Sequence, residues 1–249
     1  MSSEGYKGRL FNSYYETHSV TDGLGANNRN QETVDWVNKY YDCYLKRVFD
    51  KIGKNSSILE IGCNQGYYLQ TIYERGQYDS ITGIDLSPGD LCIAKDVCDP
   101  RIDLVQADAF EFLKKRGGYY DLIFSKAVFE HIDKNRLFEL LELCKYALKD
   151  GGLLVIEVPN MDWIFSNHER YMDFTHECGF TKESLGQVMR ECFGNVDIMY
   201  NDNNDRHCGI KTKIARKILF SLMYWSEPVI TKDSLFSRCI MAVSQKELC

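Results

Sequence analysis

The chain has 249 residues, of which 44% are hydrophobic and 27% charged, with a formal net charge of −6. That length and apolar content suffice for a full core in one domain, and the acidic balance argues against the broadly basic surface of a sequence-independent nucleic-acid binder. The ten cysteines form no C-x-x-C pair, and Met1–Leu10 is polar with no apolar core segment, so they read as reduced thiols of a cytoplasmic protein.

Up to about Asn30 the chain is rich in Tyr, Asn, Gly and Ser and reads as an irregular arm. From Gln31 to about Ile52, apolar positions such as Val34, Val37, Tyr41, Leu45 and Val48 recur at helical spacing. Strand and helix patterns then alternate. Ile58–Ile61 is strand-like and Gly66–Arg75 helix-like; Ser80–Asp85 is strand-like and Pro88–Val97 helix-like. A short strand over Ile102–Val105 and a short helix over Ala109–Lys115 follow, then a strand over Tyr120–Ser125. A helix over Arg136–Leu148 ends at Asp150-Gly151-Gly152, and a strong strand over Leu153–Val158 stops at Pro159-Asn160. Thr181 opens another helix, and Val196–Tyr200 and Cys239–Val243 are the last two strands. Such alternation predicts an α/β fold: a Rossmann-like, doubly wound, mostly parallel seven-stranded sheet with helices on both faces. Residues 1–249 read as a single domain, with 1–30 as arm or lid and 201–237 as an insert between the last two strands.

The most informative segment is Ser57-Ile58-Leu59-Glu60-Ile61-Gly62-Cys63-Asn64-Gln65-Gly66-Tyr67. A strand ends in an acidic residue, turns through glycine and enters a helix, the device by which α/β proteins hold a nucleoside-bearing ligand. Gly62 permits the sharp turn, and Gly66 permits close approach of a ligand where a Cβ would block it. In such sheets ligands bind beyond the carboxyl ends of the strands. Asp85, about 20 residues on, stands where a carboxylate takes up two ribose hydroxyls.

This loop resembles the glutamate-x-glycine-x-glycine-x-glycine motif of class I S-adenosylmethionine-dependent methyltransferases, with Asn64 at the middle glycine, a residue tolerant of left-handed backbone. Gly83-Ile84-Asp85-Leu86-Ser87, Gln106-Ala107-Asp108-Ala109, Phe124-Ser125-Lys126 and Leu148-Lys149-Asp150-Gly151-Gly152 resemble that family's successive motifs, in order, over roughly Ile58–Phe193. The resemblance implies S-adenosyl-L-methionine as cofactor. It implies cofactor contacts by Glu60, Gly62, Asn64 and Gly66, by Asp85 and Leu86, by Asp108 and Ala109, and by Ser125. Asp108 toward the adenine amino group competes with a role as helix cap; Glu60 either braces the glycine loop or reaches the cofactor's amino group through water.

Methyl transfer to a hydroxyl needs an in-line geometry and a proton acceptor. The candidates are His131, in Glu130-His131-Ile132 after the fourth strand, and His176, in Asp173-Phe174-Thr175-His176 after the fifth; the alternative for each is structural. His18 lies in the arm. Relatives that bind a divalent ion use glutamate-x-x-glutamate-histidine; here Ala127 replaces the first ligand, so no metal is expected. His168 and His207 lie in polar loops.

Pro159-Asn160-Met161, Asp173-x-Thr175-His176 and Gly179-Phe180-Thr181-x-x-Ser184-Leu185 resemble bacterial methyltransferases of surface-polysaccharide and glycosylated-metabolite pathways. That implies O-methylation of a sugar or sugar nucleotide in polysaccharide biosynthesis. The alternatives are N-methylation of an amino sugar or other small amine, and a non-catalytic protein that keeps the cofactor. No nucleic-acid partner and no stable membrane insertion are expected. In the insert, Ile214, Ile218, Leu222 and Met223 share one helical face behind the basic Lys211–Lys217 segment. Membrane-surface contact, a homodimer contact and a flap are open readings, with packing on its own domain preferred over each and membrane contact expected to be absent.

Overall fold

The computed structural model describes residues 31–201, 209–226 and 231–248. The expectations for the arm, including His18, and for His207 fall outside the described residues. Seven strands form one sheet in the order β3-β2-β1-β4-β5-β7-β6, as the alternation predicts. They are β1 (Ser57–Ile61), β2 (Ser80–Asp85), β3 (Asp103–Gln106), β4 (Tyr120–Lys126), β5 (Leu148–Pro159), β6 (Asp197–Asn201) and β7 (Cys239–Gln245). The β1–β2, β1–β4 and β2–β3 pairs are parallel, and β6–β7 is antiparallel.

The chain divides into two compact units. The first comprises residues 1–125, 142–154 and 246–249. Its first described helix, α1 (Gln31–Tyr40), continues through a π-helical turn (Tyr41–Leu45) into α2 (Lys46–Phe49). Tyr40, Tyr44, Leu45, Val48 and Phe49 are buried there, which matches the helical spacing of the apolar positions. α3 (Tyr67–Arg75), α4 (Pro88–Val97) and α5 (Ala109–Leu113) alternate with the strands. β1 reads Ser-Ile-Leu-Glu-Ile with all but its first residue buried, the near-continuous burial of a strand covered on both faces.

α6 (Leu137–Ala147) runs directly into β5, which is longer than the sequence predicts. The pair Gly151-Gly152, expected to end the helix before β5, lies within that strand: Gly151 N–H donates to Lys246 O and Lys246 N–H to Gly152 O. Glycine's φ of 78° at Gly151 lets the backbone turn while keeping those bonds.

The second unit comprises residues 126–141 and 155–245. It contains α7 (Ser166–Tyr171), α8 (Lys182–Phe193), α9 (Ile210–Ser226) and α10 (Lys232–Phe236). α8 opens on the reciprocal capping pair Thr181–Ser184, so the helix start expected at Thr181 is made by its hydroxyl. α7 and α10 carry too little apolar periodicity to be seen in the sequence. α7 is fixed by its buried Glu169, whose carboxylate receives Arg238 at 2.7 Å, and α10 by the capping pair Thr231–Ser234.

The helix of the insert rests on its own unit, through Arg216 over the Phe236 ring, but by another face than the expected stripe. The apolar stripe of α9 is not packed on the unit: Ile214, Ile218 and Leu222 are 54%, 56% and 63% exposed. The positions that turn inward are Arg216, Phe220 and Met223, spaced at i, i+4 and i+7 on the opposite face.

Candidate active site

In the first unit, the parallel register brings the carboxyl ends of β1, β2, β3 and β4 to one edge. Ile61 lies beside Ile84 and beside Ser125, and Asp85 beside Gln106. The β1–α3 turn passes through three left-handed residues, Gly62 (φ 74°), Asn64 (φ 46°) and Gly66 (φ 78°). Asn64 thus does what its tolerance of left-handed backbone predicts. Gly62 and Cys63 N–H both donate to Ile84 O, at 2.8 and 3.0 Å, tying the turn to β2.

Asp85 completes that tie. Its carboxylate accepts Asn64 N–H and Ser87 N–H, each at 2.8 Å. Burial pushes its carboxyl up, and the Ser87 and Asn64 amides oppose the shift. A carboxylate oxygen has more than one acceptor site, so these bonds orient Asp85 without using up its capacity for further donors. Asp108 accepts Phe110 and Glu111 N–H on Oδ1, at 2.9 and 3.2 Å. It is therefore the N-cap of α5, the competing role foreseen for it, with Oδ2 directed elsewhere. Leu86 is half exposed, and Ala109 begins α5. Glu60 is buried at the end of β1. Ser125 is fully buried, and its hydroxyl donates to Ile61 O at 3.1 Å, so that donor joins β4 to β1.

Gly66 is explained by the protein's own packing. A Cβ there would lie 2.4 Å from Cys98 Sγ and 3.2 Å from Ala94 Cβ. The close approach expected of a ligand is made by α4, which is why this turn cannot carry a side chain at that point.

The second unit holds both candidate histidines. β4 is followed by Ala127 at φ 54° and a short 3-10 turn, Phe129–His131. Glu130 O accepts Glu177 and Cys178 N–H, at 2.7 and 2.9 Å, and so holds the 173–178 loop against this turn. The His131 and His176 rings then meet edge to face, 4.7 Å apart.

Hydrogen bonding fixes the tautomers. Thr175 Oγ1 donates its single proton to Asp173 Oδ1 at 2.7 Å, so at its 2.8 Å contact with His131 Nδ1 it must accept. His176 Nδ1 lies 2.9 Å from Glu169 O, a carbonyl that only accepts. Both rings therefore carry hydrogen on Nδ1, and their basic lone pairs lie on Nε2. Asp173 and Thr175 are 8% and 2% exposed. Burial alone would raise the Asp173 carboxyl, but the Thr175 amide and hydroxyl, with His131 and His176, outweigh it and hold it below its usual range. The result is a carboxylate–hydroxyl–imidazole relay.

Sequence reasoning selected His131 and His176 but not Thr175. The available signal was Asp173-x-Thr175, a spacing at which an aspartate folds back on the backbone two residues on; Thr175 N–H indeed donates to Asp173 at 2.8 Å.

Glu130 lies beside the histidines, 2% exposed, and burial pushes its carboxyl up to about 8. Glu130, His131 and His176 each bring a ligand-type atom within 4.8 Å of the others. The fit to a divalent ion is poor on two counts. The position that would add a carboxylate is Ala127, and a Glu130 carboxyl protonated at neutral pH must first surrender its proton to coordinate.

The residues behind the polysaccharide resemblance are largely architectural. Asn160 is fully buried and its amide donates to Ser234 O and Ser237 O, at 2.7 and 2.8 Å. A Cβ at Gly179 would meet Met161 at 2.9 Å, and Thr181 caps α8.

Comparison with known proteins identifies the family and the fold. A family model described as a methyltransferase domain matches residues 34–192. Malonyl-[acyl-carrier protein] O-methyltransferase of Priestia megaterium is 32% identical over 133 residues, covering 53% of this chain and 47% of its own. Sphingolipid C9-methyltransferase of Candida albicans is 29% identical, covering 60% of this chain and 31% of its own. The chain thus spans about half or less of the curated relatives it matches. A SAM-dependent methyltransferase from Archaeoglobus fulgidus superposes with a TM-score of 0.64 at 24% identity, covering 84% of this chain and 94% of that one. Phosphoethanolamine N-methyltransferase 2 of Haemonchus contortus, solved with S-adenosyl-L-methionine, gives 0.64 at 16% identity, covering 95% and 60%. At those identities the likeness is one of fold.

Proposed function

The chain belongs to the methyltransferase-domain family, whose class I members draw their methyl group from S-adenosylmethionine, and from that premise we propose that it O-methylates a hydroxyl of a small molecule. The observation that carries the oxygen acceptor is the Asp173–Thr175–His131 relay. An amine with a free lone pair, or an ionised carboxylate, needs no such base; a hydroxyl does. The curated O-methyltransferase relatives support an oxygen acceptor.

In this reading the first unit holds the cofactor. Asp85 takes the ribose hydroxyls, Asp108 Oδ2 the adenine amino group, and the left-handed turn from Gly62 to Gly66 lies along the ligand, with Glu60, Leu86, Ala109 and Ser125 shaping the same strand ends. Bound S-adenosylmethionine supplies an electrophilic methyl group as a sulfonium. His131 Nε2 would take the proton of the acceptor hydroxyl as its oxygen became methylated. The imidazolium is stabilised through Thr175 by the Asp173 carboxylate, as in other carboxylate-oriented histidine bases. His176 is the second basic nitrogen of the pair. No step requires a metal ion.

For the acceptor we propose a sugar or sugar-containing metabolite. Supporting this are three exposed rings, Phe165 (60%), Tyr171 (77%) and Phe174 (79%), suited to stacking on sugar C–H faces, in the segment that carries the hydrogen-bonding Asp173 and His176. The test is transfer of labelled methyl from S-adenosylmethionine to matched panels of sugar nucleotides, amino sugars, amines and malonyl thioesters. Transfer to sugar hydroxyls supports the whole reading. Transfer to amines alone overturns the hydroxyl acceptor, transfer to malonyl thioesters overturns the sugar, and cofactor binding with no transfer to any of these points to a non-catalytic binding protein.

A further inference from the structure

Helix α9 carries Lys211, Lys213, Arg216 and Lys217 and no acidic residue, on a chain whose net charge is −6. At roughly 100° per residue, its half-buried positions Arg216, Phe220 and Met223 define one face, anchored where the Arg216 guanidinium stacks 5.4 Å over the Phe236 ring of α10. The diametrically opposite face carries Ile210, Ile214, Ile218, Leu222 and Trp225, exposed by 76%, 54%, 56%, 63% and 88%. Four consecutive turns of β- and γ-branched side chains, ending in an indole, stand in water. Lys213 and Lys217 flank this stripe on one side, and Lys211 lies on it at the first turn.

We propose that α9 is an interfacial helix that adsorbs the protein onto anionic lipid surfaces, with the Ile210–Trp225 stripe buried at the headgroup boundary and the flanking lysines on lipid phosphates. Three observations select this occupant. The charge beside the stripe is of one sign, so a second copy docked stripe to stripe would bring six lysines together, whereas an anionic surface is complementary to them. Tyr224 (50% exposed) and Trp225 are amphipathic rings of the kind that settle at a membrane interface. Among the described residues no helix is long and apolar enough to cross a membrane, and α9, at 17 residues and about 25 Å, is suited to lie in the interface plane. Lysine stems can lie along the apolar layer while the ammonium groups reach phosphate.

The experiment is cosedimentation of the full chain with vesicles of phosphatidylcholine, and of phosphatidylcholine with phosphatidylglycerol, while Trp225 emission is followed against Trp225→Phe. We expect binding to the anionic vesicles at least tenfold tighter than to the neutral ones, weakened by salt, with a blue shift that Trp225→Phe removes. Ile214→Asn with Ile218→Asn, and separately Lys211→Gln with Lys213→Gln and Lys217→Gln, should each reduce binding at least tenfold. Cofactor affinity measured in the absence of vesicles should be unchanged, which shows that these variants are folded. No sedimentation of the wild type with anionic vesicles overturns the proposal, as does binding that both sets of variants retain. A stripe variant that changes the oligomeric state while the wild type ignores vesicles assigns the stripe to a second copy instead.

Discussion

The two units solve different problems with the same kinds of residue. In the first, the polar side chains at the strand ends are spent on backbone: Asp85 holds Asn64 and Ser87, Asp108 holds the start of α5, and Ser125 joins β4 to β1. In the second, a carboxylate and a hydroxyl are spent on a side chain, orienting His131 through Thr175. The first pattern ties the strand ends and the turns after them into a rigid edge. The second sets the tautomer of a titratable group.

The largest effect should come from breaking the second pattern. His131→Ala is expected to lower kcat by roughly 10²–10⁴-fold, the usual contribution of a general base, with cofactor affinity nearly unchanged. If His131→Ala and His176→Ala both turn over at near wild-type rates, histidine base catalysis is excluded.

Glu130 separates burial from catalysis. Its folded carboxyl lies near pH 8 against an ordinary 4.5, so the native state binds that proton more tightly than the unfolded chain. The stabilisation is therefore complete below pH 4.5 and is lost progressively as pH rises to about 8. Glu130→Gln, which does not titrate, should gain on wild type across that window by on the order of a few kcal/mol, at about 1.4 kcal/mol per unit of difference. Urea unfolding at pH 5 and pH 9 measures it; a difference between the two proteins that does not change with pH contradicts the assignment.

The first pattern is tested by Asp85→Ala. Loss of bonds to a charged group, roughly 1.5–3 kcal/mol each, should weaken S-adenosylmethionine binding at least about tenfold in a calorimetric titration. Equal affinities would remove Asp85 from the site. The smallest expected effect is none at all: dialysis against a chelator should leave activity intact, because Ala127 and a protonated Glu130 make a poor ion site. Activity lost on dialysis and recovered with magnesium would reverse that reading.

The two units also differ in how far their sequence could be read. The first is periodic, and its punctuation is local: Gly62 and Asn64 stand where a left-handed turn is needed, and Asp85 ends a strand whose length the pattern already gives. Out of reach were the reason for Gly66, which Cys98 and Ala94 approach from 28 to 32 residues away, and the strand pairing of Gly151-Gly152 with the distant Lys246. In the second unit the deciding contacts are remote in sequence. Thr175 meets His131 across 44 residues, and Glu169 in the polar helix α7 is held by Arg238 across 69. No spacing rule pairs them. α9 shows the converse limit: its stripe was visible as a helical period, but a period tells which residues share a face and not whether anything covers it.

The central claim is that Asp173 acts on His131 through the Thr175 hydroxyl, and the pH–rate profile of Thr175→Val on the true acceptor tests it most directly. Valine keeps the shape and removes the relay. The wild-type rate should fall on the acid side as the imidazole takes up its proton. In Thr175→Val, kcat should drop by about tenfold or more and the acid limb should shift, since the imidazolium has lost its carboxylate link. Cofactor affinity should stay unchanged, and Thr175→Ser should restore the wild-type profile. A Thr175→Val profile that superimposes on the wild type, in height and in limb position, would contradict the account.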